Sequence, residues 1–292
     1  MKFAIFGREV SRDFDPALQN LIDTLESHAS GIILYEEFYR QVSDRIRFQH
    51  EPALFNSHSQ LHDAAQVLIS IGGDGTLLDT ITLIRDSGIP VLGINTGRLG
   101  FLSAIAVDEI QAVTEAVLQG NYTIDKRSLI QLHSPDYQFG ELNFALNELT
   151  VLKRDNSSMI AINAYVDDLY LNTYWADGLI VATPTGSTGY SLSCGGPIVS
   201  PDSNTLVITP IATHNLTVRP VVIADSSQVK LRISGRTQEY LVILDSRSTP
   251  LSTSVELLIT KAPFSINLLC VGQKDFYKTI RNKLAWGLDK RN

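Results

Sequence analysis

Cysteine is scarce in this sequence, which contains only Cys194 and Cys270 among its 292 residues. Two isolated cysteines cannot form a disulfide framework, and the lack of a Cys-x-x-Cys pair excludes the common zinc and redox motifs. The cysteine content therefore predicts a protein that works in a reducing compartment such as the cytoplasm.

Basic residues are outnumbered, with 24 Lys and Arg against 31 Asp and Glu and a formal net charge of −7. This acidic balance disfavours a broad basic face for nucleic acid or for an anionic membrane. The apolar runs are too short to span a bilayer, and the N-terminal run is too short for a signal peptide. We expect a cytoplasmic protein whose partners are neither nucleic acids nor membranes.

Several common motifs are also missing. The sequence has no G-x-x-x-x-G-K-[ST], which excludes a P-loop, and no G-x-G-x-x-G after its first strand, which leaves hydride transfer unsupported. It has no G-x-S-x-G elbow, so the hydroxyls around His214 do not indicate a serine hydrolase. His58 and His62 are four residues apart, but the Glu of H-E-x-x-H is absent, and a solvated helix face is the better interpretation. We predict no metal site built from protein residues.

The most informative stretch present is the turn Gly72-Gly73-Asp74-Gly75-Thr76. The apolar run Val67–Ile71 precedes it, and apolar residues at helical spacing follow it, which predicts strand, turn and helix. Such a turn binds phosphate through bare backbone N–H groups and the helix dipole, and Asp74 places an acid beside that phosphate. The alternative is a turn chosen only for its left-handed residues. We favour a site that moves a phosphoryl group onto a hydroxyl.

Strand and helix signals alternate over residues 1–125. Strands are predicted at Phe3–Phe6, Ile32–Tyr35, Val67–Ile71 and Ile89–Ile94, with one helix around Leu18–Leu25 and another from the glycine turn to about Ser87. This alternation predicts an α/β domain with a parallel sheet and right-handed crossovers. Ligands of such sheets bind at the carboxyl ends of the strands. We therefore expect the turns Gly72–Thr76 and Asn95–Gly100 to lie close together.

The pattern changes at residue 126. Residues 126–272 contain ten strand-like runs separated by turn residues, including Ala145–Leu152, Leu179–Ala182, Val255–Thr260 and Ile266–Leu269, which predicts an all-β, sandwich-like second domain. The segment 273–292 contains apolar residues at helical spacing over Phe276–Trp286. We expect a C-terminal helix that packs back on the first domain.

Two further motifs are rich in polar groups. The segment Thr183–Ile198 follows the apolar strand Leu179–Ala182 and is preceded by Asp177-Gly178; its many hydroxyls suit sugar or phosphate ligands better than an ordinary surface loop. Asn147-Glu148 lies within the strand-like run Ala145–Leu152, where a buried polar pair requires partners. A ligand such as adenine or a ribose diol is one interpretation, and a solvated edge strand is the other.

Together with the segment Pro210–Pro220, which reads Pro-x-x-x-His-x-Leu-x-x-Arg-Pro, these motifs resemble the bacterial NAD kinase family. The same glycine turn occurs in diacylglycerol and sphingosine kinases and, more loosely, in phosphofructokinases, but the long Thr/Gly/Ser segment is typical of NAD kinases. The resemblance implies transfer of the γ-phosphate of ATP to the 2′-hydroxyl of the adenosine ribose of NAD, which yields NADP.

The resemblance also implies roles for particular residues. Asp74 is the expected general base that takes the proton from the ribose hydroxyl. Gly72, Gly73 and Gly75 are expected along the phosphates, Asn147 and Glu148 at the adenine and ribose, and Asp177 at the nicotinamide end. The residues expected to line the NAD pocket are Thr188, Gly189, Tyr190, Ser191, Leu192 and Ser193, with Phe101 and Ala212 nearby.

Partners and cofactors follow from the same resemblance. A divalent cation, expected to be Mg²⁺, would arrive with ATP, because the sequence shows no all-protein cage for it. The family forms homo-oligomers, so we expect a dimer or tetramer in which a neighbouring subunit completes the dinucleotide site. The sequence leaves open whether ATP or polyphosphate is the donor, whether NADH is accepted and whether NADPH inhibits.

Some positions depart from the family pattern. Gly189 and Cys194 stand where alanine is usual, and Trp175 stands where arginine is frequent; the roles of Asp79 and Arg247 stay open. Two alternatives to an NAD kinase remain. The acidic balance argues against a lipid kinase, and the intact Asp74 argues against a non-catalytic dinucleotide-sensing module.

Overall fold

The computed structural model describes all of the chain except residues 29–30, 98–99, 104, 135–137, 155–158, 236–237, 274 and 287–292. Arg98 and Leu99 of the predicted Asn95–Gly100 turn and the end of the predicted C-terminal segment lie outside the described residues. The chain divides into two compact units. The first unit contains Met1–Lys126 and Ile266–Asn292, and the second contains Arg127–Ser265.

Helices and strands alternate first, and strands then dominate. The strands are β1 Lys2–Gly7, β2 Gly31–Tyr35, β3 Ala53–Phe55, β4 Val67–Ile71, β5 Val91–Ile94, β6 Thr123–His133, β7 Phe144–Ala145, β8 Glu148–Lys153, β9 Ile160–Val166, β10 Leu169–Ala176, β11 Gly178–Ala182, β12 Thr205–Ile211, β13 Val221–Ala224, β14 Val229–Ser234, β15 Glu239–Leu244, β16 Arg247–Ser252 and β17 Leu257–Cys270. The α-helices are α1 Asp15–His28, α2 Glu36–Val42, α3 His58–Leu61, α4 Asp74–Ile84, α5 Ile110–Leu118, α6 Tyr190–Ser193 and α7 Phe276–Leu284.

A parallel sheet forms the first unit, with its first five strands in the order β3-β2-β1-β4-β5. β4 is buried at every residue, as expected of a strand covered on both faces. The chain leaves β1 toward β2 on one side, whereas β4 lies on the other side. The sheet therefore has a switch point between β1 and β4, where open α/β sheets bind ligands beyond the carboxyl ends of the strands.

The helices of the first unit cover this sheet with apolar faces. In α1 the predicted residues Leu18, Leu21, Ile22 and Leu25 are all buried, which confirms the helical period. Helix α4 ends at Ile84, three residues before the predicted limit, because Arg85 adopts a left-handed φ of 47° that helical backbone does not tolerate.

Two antiparallel layers form the second unit. One is the sheet β13-β12-β11-β8-β15-β16, and the other contains β10, β9, β14 and the first part of β17. Apolar residues from both layers share one core, including Val151 and Val181 of the first layer and Ile162 and Leu231 of the second. This is the sandwich arrangement predicted from the sequence.

The strands predicted at Ala145–Leu152, Val255–Thr260 and Ile266–Leu269 differ from the observed ones. The run Ala145–Leu152 is two strands, β7 and β8, and the chain leaves the ladder at Leu146 and Asn147, whose amides bind a carboxylate instead. Val255–Thr260 and Ile266–Leu269 belong largely to one 14-residue strand, β17, because the intervening Ala262-Pro263-Phe264 stays extended.

The α/β first domain and antiparallel second domain confirm the predicted fold class. Helix α7 belongs to the first unit, where Lys283 Nζ lies 5.9 Å from the ring centroid of Phe101. Among the described residues, no helix combines the length and apolar character needed to cross a membrane.

Candidate active site

Asp74 is the first residue of α4, directly after β4, and therefore lies at the switch point of the parallel sheet. Gly73 precedes it in an extended conformation and leaves the first amides of the helix without side-chain caps. Free amides and the helix dipole favour an anion at this point. The local sequence thus places a carboxylate and an anion-binding helix end side by side.

The Asp74 carboxylate is held by three successive backbone amides. Phe101 N donates to Oδ2 at 2.8 Å, while Leu102 N and Ser103 N donate to Oδ1 at 3.1 and 2.9 Å. We call this arrangement the Asp74 clasp. A carboxylate has about four acceptor positions, so the three amides leave one, on Oδ2, for a further donor.

The glycines around Asp74 fall into two kinds. A β-carbon at Gly72 would lie 2.3 Å from Thr76 Oγ1, and one at Gly100 would lie 1.8 Å from Asp74 Oδ1, so the fold itself requires both glycines. Gly72 also has a φ of 149°. By contrast, β-carbons at Gly73 and Gly75 would meet no protein atom within 4 Å. Packing inside the described part of the chain therefore requires neither of these two exposed glycines.

Asn95 organises the neighbouring turn. Its Oδ1 accepts from Gly97 N at 2.7 Å, and its Nδ2 donates to Ser103 O at 3.3 Å. The amide of Gly72 donates to the O atom of Ile94, the last residue of β5, at 2.9 Å, so the two turns begin side by side. The expectation that these turns lie close together is confirmed, although Arg98 and Leu99 between them lie outside the described part of the chain.

A second carboxylate is held in the same way in the second unit. Asp245 Oδ2 accepts from Leu146 N at 2.9 Å, and Oδ1 accepts from Asn147 N and Glu148 N at 2.8 and 3.2 Å. We call this the Asp245 clasp. The Asp245 side chain is only 5% exposed, and Arg247 Nη2 lies 3.8 Å from its Oδ2. Burial raises the pKa of Asp245, although the three amides and Arg247 oppose that rise.

Arg247 connects this clasp to the strand before it. Its guanidinium donates to the carbonyls of Leu142 and Phe144 and lies 5.4 Å from the ring centroid of Phe144. The role of Arg247, open at the sequence level, is therefore structural in this unit. It holds β7 beside the turn that contains Asp245.

The Asp245 clasp presents Asn147 and Glu148, two of the predicted site residues. Glu148 is buried, and its Oε2 has no hydrogen-bond partner. Burial, reinforced by the nearby Asp245, raises the pKa of Glu148 to about 8. A β-carbon at Gly189 would lie 3.1 Å from that Oε2. An unpaired buried acceptor beside a bare backbone is suited to a ligand with hydroxyl or amine donors.

The hydroxyls of the Thr183–Ile198 segment serve mainly the protein itself. Thr183 Oγ1 donates to Leu146 O at 2.5 Å, Ser187 Oγ donates to Pro184 O at 2.7 Å, and Ser191 Oγ lies 2.8 Å from Thr209 Oγ1. All three residues are fully buried. The many hydroxyls of this segment were expected to bind a ligand, but these three bind other groups of the protein. The place of Ser191 in the NAD pocket stays a prediction.

The residues that face outward are a different subset of the same segment. Tyr190 is 42% exposed, and its hydroxyl hydrogen-bonds the Cys194 thiol; burial is the main cause that raises the pKa of each group. The charge of Asp177 also raises the pKa of Tyr190. Asp177 forms an ion pair with Lys153, whose Nζ lies 2.6 Å from Asp177 Oδ1. The remaining predicted lining residues are at least partly accessible: Thr188, Gly189, Leu192 and Ser193.

Ala212 lies next to this group. It follows β12 in a left-handed conformation with a φ of 46°, and Asp177 N donates to the adjoining Ile211 O at 3.0 Å. Such strain at a non-glycine residue is frequent in ligand sites. Ala212 is exposed, and its place near the NAD pocket stays a prediction.

Two residues that position the candidate site residues of the second unit, Asp245 and Arg127, were not identified from the sequence. Asp245 sits in a hairpin turn between β15 and β16, where aspartate is ordinary, and nothing local marks it as the partner of residues 146–148. Arg127 is 5% exposed, and its Nη1 donates to Thr185 Oγ1 at 3.1 Å. An arginine inside the strand-like stretch of β6 was the only available signal, because arginine is rarely buried without partners.

Comparison with known proteins gives a consistent result over nearly the whole chain. The family model for the ATP-NAD kinase N-terminal domain matches residues 17–122, and that for the C-terminal domain matches residues 146–271. NAD kinases from Flavobacterium psychrophilum, Cytophaga hutchinsonii and Bacteroides fragilis are 47%, 44% and 42% identical to this chain, each over 100% of both chains.

Two solved structures share the fold. Yeast NADH kinase complexed with NADH has a TM-score of 0.88 and 23% identity, covering 99% of this chain and 88% of the yeast chain. An NAD kinase from Archaeoglobus fulgidus in complex with ATP has a TM-score of 0.73 and 24% identity, covering 98% of this chain and 99% of that one.

Proposed function

The chain belongs to the ATP-NAD kinase family, and we propose that Asp74 acts as the general base when this phosphotransferase phosphorylates NAD. The observation that carries the proposal is the Asp74 clasp. Three amides fix the carboxylate and leave one acceptor position on Oδ2. A ribose 2′-hydroxyl placed there would lose its proton to Asp74 as its oxygen attacks the γ-phosphorus of ATP, and the bond from that phosphorus to the β,γ-bridging oxygen would break to release ADP.

The phosphates of the nucleotides lie along Gly73 and Gly75 in this proposal. Both glycines are exposed, and neither is required by packing inside the protein. Their bare backbone lets a phosphate approach the start of α4, where amides and the helix dipole stabilise negative charge. Gly72 supports the turn instead, through its left-handed conformation.

Each NAD-binding residue proposed for the second unit contacts a chemically different part of the ligand. Glu148, with its unpaired buried Oε2, hydrogen-bonds the ribose or adenine together with Asn147. Asp177 is placed at the nicotinamide end, where a carboxylate can accept from the carboxamide. Tyr190 offers an exposed ring against the dinucleotide.

The triphosphate requires a divalent cation to neutralise its charge, and we propose that Mg²⁺ arrives bound to ATP. Within the described part of the chain, no group of three or more His, Cys, Asp or Glu side chains is arranged to hold a metal ion. A cation held mainly by phosphate oxygens and water suits this donor set, because Mg²⁺ keeps much of its hydration shell. The cation would supply charge neutralisation at the transferred phosphate.

We also propose that the protein is a cytoplasmic homo-oligomer. The edge strand β10 exposes Leu169 and Trp175 at 75% and 56%, and Leu216 beyond β12 is 87% exposed. His214 N donates to Trp175 O at 3.0 Å, so the segment with Leu216 lies near β10. Exposed apolar residues on an edge strand are suited to pairing with a second copy. Leu169→Glu would shift the sedimentation coefficient toward that of the monomer.

The decisive experiment incubates the purified protein with NAD, ATP and Mg²⁺ and counts NADP with an NADP-specific dehydrogenase. We expect the wild type to form NADP, and Asp74→Asn to lose that activity while still binding NAD. Parallel reactions with polyphosphate or NADH determine the donor and acceptor range.

The outcomes separate the alternatives. Equal turnover in the wild type and Asp74→Asn would retain the kinase and remove Asp74 as its base. A folded wild type that binds NAD without forming NADP would instead support a dinucleotide-sensing module.

A further inference from the structure

Glu148 is a buried carboxyl group whose negative charge the protein does not compensate. The residue is 9% exposed, and its Oε2 has no hydrogen-bond partner. Within the described part of the chain, no cation acts on this carboxyl group, whereas the carboxylate of Asp245 does. An anionic oxygen that lacks both a donor and a counter-charge is costly in such surroundings. The charged form of Glu148 is therefore disfavoured by its own environment.

Asp245, in contrast, has the partners that an anion needs. Its two oxygens accept from the amides of residues 146–148, and Arg247 Nη2 lies 3.8 Å from its Oδ2. When two buried carboxyl groups act on each other, the proton goes to the one with fewer donors. Asp245 therefore keeps the negative charge, and Glu148 keeps the proton.

The described strands beside Glu148 bring no positive charge to it. On β11, which pairs with β8, none of the residues Gly178–Ala182 has a titratable side chain. Lys153 lies at the opposite end of β8 and already forms an ion pair. The titratable residues of β15, Glu239 and Tyr240, lie at that same far end, where Tyr240 pairs with Lys153 in the ladder.

The end of α6 adds a thiol rather than a cation. Burial is the main cause that raises the pKa of Cys194, and the charge of Glu148 adds to this rise. The hydroxyl of Tyr190, which hydrogen-bonds this thiol, carries no positive charge either. Burial and the nearby Asp245 raise the pKa of Glu148 to about 8, so its acid form predominates at neutral pH.

A neutral carboxyl group has a different binding chemistry from a carboxylate. It offers one O–H donor beside one C=O acceptor, whereas a carboxylate only accepts. A ribose hydroxyl and the amino edge of adenine each offer the complementary donor and acceptor. NAD also carries two phosphates, whose charge further disfavours an anion in the same site. Bound NAD therefore favours the protonated form.

We propose that Glu148 binds the adenosine moiety of NAD as a neutral carboxylic acid, and that loss of its proton weakens NAD binding. This inference rests on the proposed function, in which Glu148 contacts the adenosine of NAD. The acid donates its O–H to an acceptor of the ligand and accepts from a donor beside it. Affinity for NAD is then highest below pH 8 and decreases above it, by at most about tenfold per pH unit.

Equilibrium titration of NAD without ATP tests the neutral form with an isosteric amide. Glu148→Gln keeps a donor beside an acceptor but cannot lose a proton. We expect this variant to bind NAD within about threefold of the wild type at pH 6.5, and equally well at pH 9. The wild type should bind about tenfold more weakly at pH 9 than at pH 6.5. Glu148→Ala should be about tenfold weaker already at pH 6.5, because both hydrogen bonds are lost.

Two control variants separate Glu148 from other charges of the second unit. Glu239→Gln removes a glutamate of β15 whose side chain is 49% exposed. Cys194→Ala removes the thiol, which also titrates at alkaline pH. Both variants should keep the wild-type affinity at pH 6.5 and the wild-type weakening toward pH 9, and thermal midpoints verify that every variant is folded. A flat pH profile in Cys194→Ala would assign the proton to the thiol and overturn the proposal.

Infrared difference spectroscopy detects the proton itself. The wild type at pH 7 should show the C=O stretching band of a protonated carboxyl group, and this band should be absent from Glu148→Gln. The band should persist when NAD is added and disappear toward pH 9. A band that is missing at pH 7, or that disappears when NAD binds, would make the carboxylate the binding form and overturn the proposal.

The inference and the proposed function fail in different ways. If the wild type forms NADP but its affinity for NAD rises with pH, or if Glu148→Gln binds as weakly as Glu148→Ala at pH 6.5, the neutral form is overturned and the kinase remains. If the wild type binds NAD with the expected pH profile and forms no NADP, the inference stands and the proposed function fails.

Discussion

Asp74 and Asp245 are held by the same device in two different environments. Each carboxylate accepts from three successive backbone amides, 101–103 for Asp74 and 146–148 for Asp245. Asp74 is half-buried at a helix start, between exposed glycines. The side chain of Asp245 is 5% exposed in a hairpin, with an arginine 3.8 Å away.

The comparison shows how exposure determines the use of a hydrogen-bond pattern. With ligand access, three amides orient a carboxylate and leave an acceptor position for chemistry. Without access, the same three bonds join distant chain segments, because a buried carboxylate must have its acceptors satisfied. The Asp245 clasp therefore presents its neighbours, Asn147 and Glu148, rather than itself.

The largest expected effect is on catalysis at the Asp74 clasp. Asp74→Asn should lower kcat about 10²- to 10⁴-fold, since a carboxamide cannot accept the proton. The free energy of unfolding should fall less than in Asp245→Asn, because the amide oxygen of an asparagine can still accept from Leu102 N and Ser103 N and the Asp74 position is only half-buried. Steady-state kinetics and urea denaturation measure the two quantities. A loss of stability comparable with that of Asp245→Asn would contradict the comparison.

The matched substitution in the second unit should have the opposite profile. Asp245→Asn should lower the free energy of unfolding by about 2–4 kcal/mol, because its NH₂ group faces a buried amide donor and Arg247 loses its counter-charge. The folded fraction should retain kcat but show a higher KM for NAD. The control is Asp168→Asn, which changes an exposed aspartate of the same unit and should leave the free energy of unfolding nearly unchanged.

Glu148 should make the stability of the protein depend on pH. Its pKa is about 8 in the folded state and 4.5 in the reference state, so the folded state binds the proton more tightly between these values. This contribution to stability is complete below pH 4.5 and decreases as pH rises toward 8, by at most about 1.4 kcal/mol per pH unit.

Thermal melting of the wild type and Glu148→Gln between pH 5 and 8 isolates this group. The difference between the two midpoints should change steadily with pH. Parallel curves would show that the pKa of Glu148 is the same in the folded and unfolded states.

The smallest effects should separate the glycines beside Asp74. Gly72→Ala should cost about 1–3 kcal/mol of stability, since its φ of 149° is strained for alanine and Thr76 must move. Gly73→Ala should leave stability within about 0.5 kcal/mol and weaken ATP binding. Chemical denaturation and ATP titration compare the two. A destabilised Gly73→Ala would assign that glycine to the fold.

Much of the first unit was predictable because its signals are local. The apolar run Val67–Ile71, the following turn and the helical spacing after it contain the strand, the turn and the helix within about 20 residues. The rule that strand ends meet at one sheet edge then predicted the contact between the two turns. The helix α2 and the short strand β3 were not recognised, because neither has a long apolar period.

The second unit shows why the rest was not predictable. The apparent strand Ala145–Leu152 is interrupted because Asp245, 98 positions from Asn147, takes the amides of residues 146–148. The hydroxyls of Thr183, Ser187 and Ser191 looked available to a ligand, but their partners are other parts of the same unit.

The sequence by itself determined the two-part architecture, the phosphate turn and the family, because periodicity, glycine placement and motif order are properties of contiguous residues. Only the tertiary structure decided which polar groups are left for a ligand. An acceptor is free or satisfied according to what folding brings within about 3 Å of it. Asp74 keeps an open acceptor position, and Glu148 keeps an unpaired oxygen. Asp245 has the same side chain as Asp74, but it is buried and its carboxylate holds the backbone amides of residues 146–148 in place.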